Sequence, residues 1–363
     1  MTRAQQRLRA VDDEAILGKL DSSLRARALP RRTATIAAVA AALLATSLHV
    51  VWGLGVAIAV VVCWAAYVVG LTTISRIVEG ARKSKDRLAT NLVVSAFGLA
   101  LLPLASLLWK VVSNGAPVLN ATFLTNSMRN VVGPGGGIYH AAAGTLLVTA
   151  MAALISVPIG LLTAIYLVEY SDGALARAIT FLVDVMTGIP SIVAALFAYA
   201  LFVVFFGAGV RMGLGGAVAL SVLMVPLVVR SAEEMLKLVP TELREASYAL
   251  GVSKWRTIVK VVTPTAMAGI VTGITIAVAR VIGETAPLLI ICGATDSTNF
   301  NLLNGRIMTL PVYIYGQYKN PGIPPQFSEQ RAWGAALVLT IIIMALSLVA
   351  RLVSHFLSPK TRA

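Results

Sequence analysis

Residues 263–293 read TPTAMAGIVTGITIAVARVIGETAPLLIICG, an apolar run that contains only two charged side chains, Arg280 and Glu284. Such a run predicts a helix that crosses a lipid bilayer, because about 20 consecutive apolar residues span the hydrocarbon core. An arginine at the centre of a bilayer costs about 2.5–3.5 kcal/mol on insertion scales. The sequence therefore predicts a membrane helix whose two charges face protein or water rather than lipid.

The rest of the chain has the same apolar character. Of its 363 residues, 58% are hydrophobic and only 13% are charged, and the mean hydropathy is +0.84. A typical soluble domain carries about 25% charged residues. We therefore predict an all-α membrane protein with about eight transmembrane helices. The apolar runs place them at residues 33–51, 55–75, 91–112, 140–168, 178–207, 214–230, 264–292 and 332–354.

The basic residues predict the direction of these helices. The chain has 30 Lys and Arg and a formal net charge of +14. Most of them lie in the N-terminal segment, in residues 76–87, in residues 230–260 and at the C-terminus, which the helix order places on one side of the membrane. Loops on the cytoplasmic side carry such an excess. Both termini are therefore predicted to be cytoplasmic, and the positive charge does not indicate a nucleic-acid partner.

Three parts of the chain follow from this arrangement. Residues 1–32 form a basic cytoplasmic tail, which suits contact with anionic membrane lipid or with a cytosolic partner. Residues 33–90 form an N-terminal transmembrane hairpin and a basic loop. Residues 91–363 form a six-span core whose longest cytoplasmic loop is 231–263.

That loop contains TELREASYALGVSKWRTIVKVVTP at residues 241–264. Glu245, Ala246 and Ser247 are followed after three residues by Gly251, and nine residues later comes a segment that ends in Pro264. The small side chains allow close approach to one helix surface, and a glycine suits a sharp helix stop. The loop is therefore predicted to form a short helix–turn–helix on the cytoplasmic face.

This spacing resembles the EAA loop of ABC importer permeases, which docks into a groove of the ATPase subunit. The family pattern is E-A-A, three residues, G, nine residues, I-x-L-P. Here Ser247 replaces the second alanine and Thr263 replaces the leucine. The resemblance implies that Glu245, Ala246, Ser247, Gly251 and Pro264 contact an ATPase.

A closer resemblance covers roughly residues 130–320. The segments GGIYH, DVMTGIPSIVAALFA, ARVIGETAPLL and LPVYIYGQ are similar in order and spacing to the PstA subunits of bacterial phosphate ABC importers. The resemblance implies an inner-membrane permease with a PstC-type second permease, a PstB-type ATPase dimer and an external PstS-type phosphate-binding protein. ATP and magnesium would then bind the ATPase, and this chain would carry no cofactor or metal. Residues 1–90 lie outside the resemblance.

The charged pair has two interpretations. In a continuous helix, Arg280 and Glu284 share one face, so they either neutralise each other inside the bundle or line a water-accessible pathway. A guanidinium offers paired donors to two phosphate oxygens. Gly283 would permit close backbone approach, and Thr285 would add a hydroxyl. In the permeases that this chain resembles, the matching Arg and Glu belong to the transport pathway.

The fifth predicted span contains further polar residues. Asp184 lies a few residues after the predicted helix start, where the helix dipole favours a carboxylate. Pro190 is expected to bend the helix, as a possible gate. Thr187 and Ser191 could then bond the freed backbone groups.

The sequence contains no GxxxxGK[ST] motif for a nucleotide phosphate. We therefore predict a permease subunit rather than an enzyme, which imports inorganic phosphate by alternating access. The alternatives are a permease for sulfate, molybdate or another oxyanion, and a secondary transporter, which would not need the EAA-like loop. The tyrosines of LPVYIYGQY, in a predicted external loop, either form an interfacial aromatic belt or contact an external partner.

Overall fold

The computed structural model describes residues 29–30, 32–53, 55–170 and 173–357. Every regular element within these ranges is helical, and they contain no strand. The all-α prediction is therefore confirmed. Most of the predicted basic tail, residues 1–28 and 31, lies outside the described residues.

The chain divides into two compact units, one up to Leu107 and one from Leu108 onward. The first unit contains α1 (Arg32–Trp52), α2 (Val56–Val78) and most of α3 (Ala81–Gly115). Helices α1 and α2 pack against each other. The basic loop expected before residue 91 is helical from Ala81 onward, because its Arg, Lys and Ala residues are good helix formers.

Glu79 closes the turn between α2 and α3. Its carboxylate accepts two hydrogen bonds from Arg87, at 2.7 and 2.9 Å, and one each from the Ser75 hydroxyl and the Leu29 N–H, both at 2.8 Å. The bonds from Arg87, followed by the Leu29 N–H, lower the pKa of Glu79 to about 2. The Glu79 side chain is only 2% exposed, so this cluster fixes the segment before α1 to the turn.

The second unit contains the remaining helices and short helical turns. They are the turn Ala116–Val118, α4 (Ala121–Thr125), α5 (Tyr139–Glu169), α6 (Ala174–Gly188), α7 (Ser191–Phe206), α8 (Gly213–Lys237), α9 (Thr241–Ala249), α10 (Lys254–Thr257), the π-helical turn Ile258–Val262, α11 (Thr263–Val281), α12 (Ala286–Ile291), α13 (Leu310–Lys319) and α14 (Pro325–Leu357).

Within the described ranges, seven helical stretches are long and apolar enough to cross a membrane, and α6 with α7 makes an eighth if the two form one span. This confirms the prediction of about eight spans. Two of the predicted spans are not continuous helices. The span at 178–207 is broken at Ile189–Pro190, with a bend of 110° between α6 and α7. The span at 264–292 is broken between Val281 and Ala286.

Helices α5 and α8 form the centre of the second unit, and α11 packs against α8 and α14. Small residues allow the close contacts. A Cβ added to Gly160 of α5 would lie 2.7 Å from Val228 Cγ1 of α8, and one added to Gly273 of α11 would lie 2.4 Å from Ser231 Cβ. Such close approach of backbones is the usual basis of helix association in membranes, where no hydrophobic force acts between helices.

The segment LPVYIYGQY, expected in an external loop, forms most of α13. Tyr313 is 1% exposed, and its ring lies edge-on to His140 at 5.5 Å. Tyr315 and Tyr318 are exposed. The interpretations as a lipid belt or a partner contact therefore remain for these two residues and do not apply to Tyr313.

Candidate functional site

The loop after α8 has the helix–turn–helix form that its spacing predicts. We call α9, α10 and the turn between them the 241–257 helix pair. Gly251 lies in the left-handed region, with φ +76°. Its N–H donates to the Tyr248 carbonyl at 2.9 Å, and the Val252 N–H donates to the Ser247 carbonyl at 3.2 Å. These two bonds form a Schellman motif, which ends α9 sharply and turns the chain into α10.

A buried hydrogen bond joins the two helices of the pair. Ser247 and Thr257 hydroxyl oxygens lie 2.8 Å apart. An alanine could not make this bond, which gives a physical reason for the serine that departs from the EAA pattern. Glu245 and Ala246, next to it in sequence, are exposed. Ser247 therefore holds the pair together, while its two neighbours are open to a partner.

Polar contacts fasten the pair to the ends of α5 and α8. Arg244 donates to the Glu169 carboxylate at 3.1 Å and to the carbonyls of Leu236 and Val239 at 3.0 and 2.6 Å. The Leu236 carbonyl belongs to the last turn of α8, where backbone acceptors lack partners within the helix, and Val239 lies two residues beyond that helix. Lys254 donates to the Glu169 carbonyl and lies over the Tyr170 ring. Sequence reasoning missed Arg244 and Glu169, because nothing in the local pattern shows which distant carboxylate an arginine meets.

Pro264 is exposed and lies in the first turn of α11. It directly follows the π-helical turn Ile258–Val262. A proline has no N–H to donate and its ring clashes with the carbonyl four residues earlier, here that of Lys260. The wider π turn relieves that clash and connects the 241–257 helix pair to α11 without a break in the chain direction.

Arg280 and Glu284 do not share a helix face, so this prediction is wrong. Arg280 lies in the last turn of α11, which ends at Val281, and Glu284 lies in the turn before α12. The Glu284 N–H donates to the Val281 carbonyl. In the part of the chain that the structure describes, neither side chain has a hydrogen-bond or ion-pair partner. Arg280 is exposed and Glu284 is half-buried.

The physical reason is that a turn replaces the expected helix. The run was predicted to be one continuous helix because its residues are apolar. A helix ends, however, where a glycine and a following proline lower the helix propensity. Gly283 has ordinary negative φ and no neighbour within 4 Å of an added Cβ. The close approach expected at Gly283 is therefore not made by any of the described residues. Thr285 immediately precedes α12, and its hydroxyl makes no capping bond.

The bend at Pro190 separates two short helices. Gly188 is the last residue of α6 and Ser191 the first of α7. The Thr187 hydroxyl donates to the Val183 carbonyl at 2.9 Å, within its own helix, and the Pro190 carbonyl accepts from Val193 N–H at 2.9 Å. Within the described residues, Ser191 makes no side-chain bond to the freed groups.

Asp184 is not near a helix start, because α6 begins at Ala174. It pairs instead with Arg230 of α8, which also donates to Glu233 at 2.9 Å. Glu233 in turn accepts from Lys237 at 2.7 Å. A cavity of about 530 Å³, which Arg177 also lines, opens beside Asp184, Glu233 and Lys237. This chain of charges joins the bent helix to α8, and periodicity did not reveal it because its members lie on two separate helices.

Comparisons with known proteins show the family of this chain. A family described as binding-protein-dependent transport system inner membrane component matches residues 156–363. The chain is 46% identical over 284 residues to the phosphate transport system permease protein PstA 1 of Mycobacterium tuberculosis (strain CDC 1551 / Oshkosh), covering 77% of this chain and 92% of that protein. It is 36% identical over 276 residues to the phosphate transport system permease protein PstA of Pasteurella multocida, with coverages of 75% and 95%.

Among solved structures, the chain is similar to one from the MetNI methionine ABC transporter in an inward-facing conformation. The two are 21% identical with a TM-score of 0.49, and the match covers 61% of this chain and 95% of that chain.

Proposed function

The chain belongs to the family of binding-protein-dependent transport system inner membrane components, within it to the PstA permeases, and from this premise we propose that it moves inorganic phosphate into the cytoplasm. The observation that carries the proposal is the 46% identity to a named phosphate permease over 77% of this chain. The chain supplies the pathway rather than the energy. ATP and magnesium bind a partner ATPase, and this chain holds no cofactor.

The 241–257 helix pair supports the proposed ATPase contact. It exposes large apolar side chains next to Glu245 and Ala246: Leu250 is 84% exposed and Trp255 is 59% exposed. The pair itself is held firmly by the bonds of Arg244 and by the Ser247–Thr257 contact. A rigid, partly apolar projection can transmit force from a PstB-type ATPase dimer to α8 and α11.

Arg280 supports the proposed pathway. It is a full positive charge at the end of a membrane helix, and in the described ranges no carboxylate neutralises it. Its guanidinium can therefore donate two hydrogen bonds to a phosphate oxygen pair. Glu284 lies in the turn that follows, where its negative charge would limit how strongly a dianion is held, while Thr285 and Gly283 belong to the same turn. A PstC-type permease would provide the opposite wall, and a PstS-type protein would deliver phosphate from outside.

The bent helices α6 and α7 support movement by alternating access. Their break at Pro190 separates two rigid rods, and the Asp184–Arg230 pair ties the first rod to α8. Exchange of this ion pair for another would let α6 move relative to α8. The excess of basic residues in the loops supports a topology with both termini in the cytoplasm, in the bacterial inner membrane.

Uptake by the reconstituted transporter tests the proposal. This chain, with a second permease, an ATPase and a phosphate-binding protein, is placed in liposomes, and uptake of labelled phosphate and of labelled sulfate is measured. We expect phosphate uptake that requires ATP and the binding protein. The matched control contains an ATPase variant that binds but does not hydrolyse ATP. Preferred sulfate uptake, or phosphate uptake that continues with this control, would contradict the proposal.

A further inference from the structure

Two arginines converge at the end of α8 that lies opposite the 241–257 helix pair. Arg211 stands two residues before α8, and Arg306 lies in the segment between α12 and α13. The two side chains meet over Gly293. A Cβ added there would lie 3.3 Å from Arg306 Cδ and 3.6 Å from Arg211 Cδ. Two positively charged side chains thus lie close to the same glycine, although like charges repel each other.

Neither arginine has an acceptor for its guanidinium. Among the residues that the structure describes, Arg211 and Arg306 form no ion pair and no side-chain hydrogen bond. Arg211 Nη1 is buried and lacks a hydrogen-bond partner. A buried donor without a partner carries the full desolvation cost of a charged group. Arg306 is exposed, whereas the buried Nη1 of Arg211 is left without an acceptor, and an added group with negative charge would supply one.

The surrounding chain holds this pair of arginines in place. The Arg211 guanidinium lies 5.0 Å from the centre of the Tyr199 ring, a cation–π contact that fixes its direction. The Asn299 side-chain amide donates to the Arg306 carbonyl at 3.1 Å. Gly293 itself adopts φ +73°, a conformation that glycine reaches without strain.

Backbone hydrogen bonds join the three segments that meet here. The Met212 N–H donates to the Ile291 carbonyl at 3.1 Å, and the Ile307 N–H donates to the Cys292 carbonyl at 3.3 Å. Both bonds lie one residue from an arginine or from Gly293. The backbone at both arginines and at Gly293 is therefore held in place by the fold before any ligand arrives.

We propose that Arg211 and Arg306 form an oxyanion-binding site that receives inorganic phosphate before it reaches Arg280. A tetrahedral oxyanion has enough acceptor oxygens to take donors from both guanidinium groups and to reach the buried Nη1 of Arg211. Helix α8 has 25 residues and, at about 1.5 Å per residue, is about 37 Å long. The site therefore lies a full membrane thickness from the 241–257 helix pair, on the external side in the proposed topology. The inference rests on the proposed phosphate transport.

Arginine labelling in the complete transporter tests this site. The complex in lipid nanodiscs is treated with phenylglyoxal in the presence of inorganic phosphate, sulfate or chloride at equal ionic strength, and modified arginines are mapped by mass spectrometry. We expect phosphate, but not chloride, to slow modification of Arg211 and Arg306 roughly tenfold. Arg129 is exposed and makes no side-chain contact in the described ranges, so it serves as the unprotected control. Equal labelling of Arg211 and Arg306 with phosphate and chloride would overturn the site.

Variants separate an anion site from a protein contact. The double variant Arg211→Gln with Arg306→Gln is compared with Arg129→Gln, and both uptake and affinity for the external binding protein are measured. We expect the double variant to assemble, to bind that protein normally and to import phosphate roughly tenfold more slowly. Loss of binding-protein affinity alone would assign the arginines to a protein carboxylate and overturn the site. If the variant does not assemble, the labelling result on the wild-type complex decides whether the arginines bind an oxyanion.

Failure of the oxyanion site and failure of the proposed function give different experimental results. Protection by sulfate, together with sulfate uptake by the wild type, would remove phosphate as the cargo and keep the oxyanion site. Phosphate uptake by the wild type without protection of either arginine would keep the cargo and remove the site.

Discussion

Arg244 and Lys254 of the 241–257 helix pair have protein partners, whereas the side chains of Arg280 and Glu284 at the far end of α11 have none among the described residues. Arg244 alone satisfies a carboxylate and two backbone carbonyls. The first region behaves as a fixed connection, because Arg244, Ser247 and Lys254 already bond to other parts of the chain. The second keeps its donors and acceptors free, which costs stability and suits a site that must bind and release an anion.

The largest effect is expected when the unpaired guanidinium of Arg280 is removed. Arg280→Ala is expected to lower phosphate uptake by more than about 100-fold, because two hydrogen bonds to a charged group, worth about 1.5–3 kcal/mol each, are lost. Arg280→Lys keeps the charge and loses the two-donor fork, so its uptake should be intermediate. Uptake of labelled phosphate in proteoliposomes is the measurement, with Arg129→Ala as the matched control.

The double variant Arg280→Leu with Glu284→Leu tests whether the two charges have only a structural role. It leaves neither charge alone in an apolar setting, and among the described residues the two side chains make no bond that it could break. We expect it to assemble with the other subunits and not to transport. Strong uptake by this variant would show that the charges have only a structural role.

At the fixed region, the turn at Gly251 is the most sensitive position. Gly251→Val forces a β-branched residue to φ +76°, which costs about 1–2 kcal/mol from backbone sterics. We expect copurification of the ATPase and phosphate uptake each to fall roughly tenfold. Gly251→Asn is the control, because asparagine tolerates this conformation; equal loss in both variants would mean that side-chain bulk, not backbone geometry, is responsible.

A smaller effect on uptake, although a larger one on stability, is expected where the pair is fastened to α8. Arg244→Ala leaves the Glu169 carboxylate and two carbonyls without their donor, and each buried group left unbonded costs about 1–3 kcal/mol. Uptake should fall about threefold, with a lower midpoint of thermal unfolding. Glu169→Gln retains an acceptor oxygen and should be milder. A milder effect from Arg244→Ala than from Glu169→Gln would argue against the fastening role.

The smallest effect concerns Glu79, a paired carboxylate in the first unit. Its pKa is lowered from 4.5 to about 2, so its bonds stabilise the fold fully above pH 4.5 and are lost as the pH falls towards 2. The midpoint of thermal unfolding of Glu79→Gln should therefore fall less than that of the wild type when the pH is lowered from about 5 to about 3. Its phosphate uptake at pH 7 should be nearly unchanged. Parallel pH curves for the two proteins would contradict this assignment.

The membrane spans were predictable because burial in lipid requires long apolar runs, and hydropathy detects them directly. The helix breaks were only partly predictable. Pro190 signals one break through its missing N–H, but the turn after Val281 consists of residues that hydropathy counts as span. The apolar run therefore predicted a shared helix face for Arg280 and Glu284 that the fold does not have.

Long-range polar contacts could not be predicted from one sequence. The turn at Gly251 is local, and its glycine was a sufficient signal. Arg211 and Arg306 are far apart in the chain, and each appeared only as one more basic residue outside a span. Their convergence depends on how α8, α12 and the segment after it pack together, which no local pattern encodes.

The bend between α6 and α7 has a consequence for solvation. At about 1.5 Å per residue, the 15 residues of α6 and the 16 of α7 extend about 22 and 24 Å, each shorter than the roughly 30 Å hydrocarbon layer. If the two helices form one span, the apex at Ile189–Pro190 lies at membrane depth, and carbonyls at the end of α6 have neither a donor within the helix nor one from hydrocarbon. Water or another polypeptide must cover this apex. A copy of the subunit that lacks its partners and is surrounded only by lipid is therefore poorly solvated there, which suits it to removal by membrane proteases.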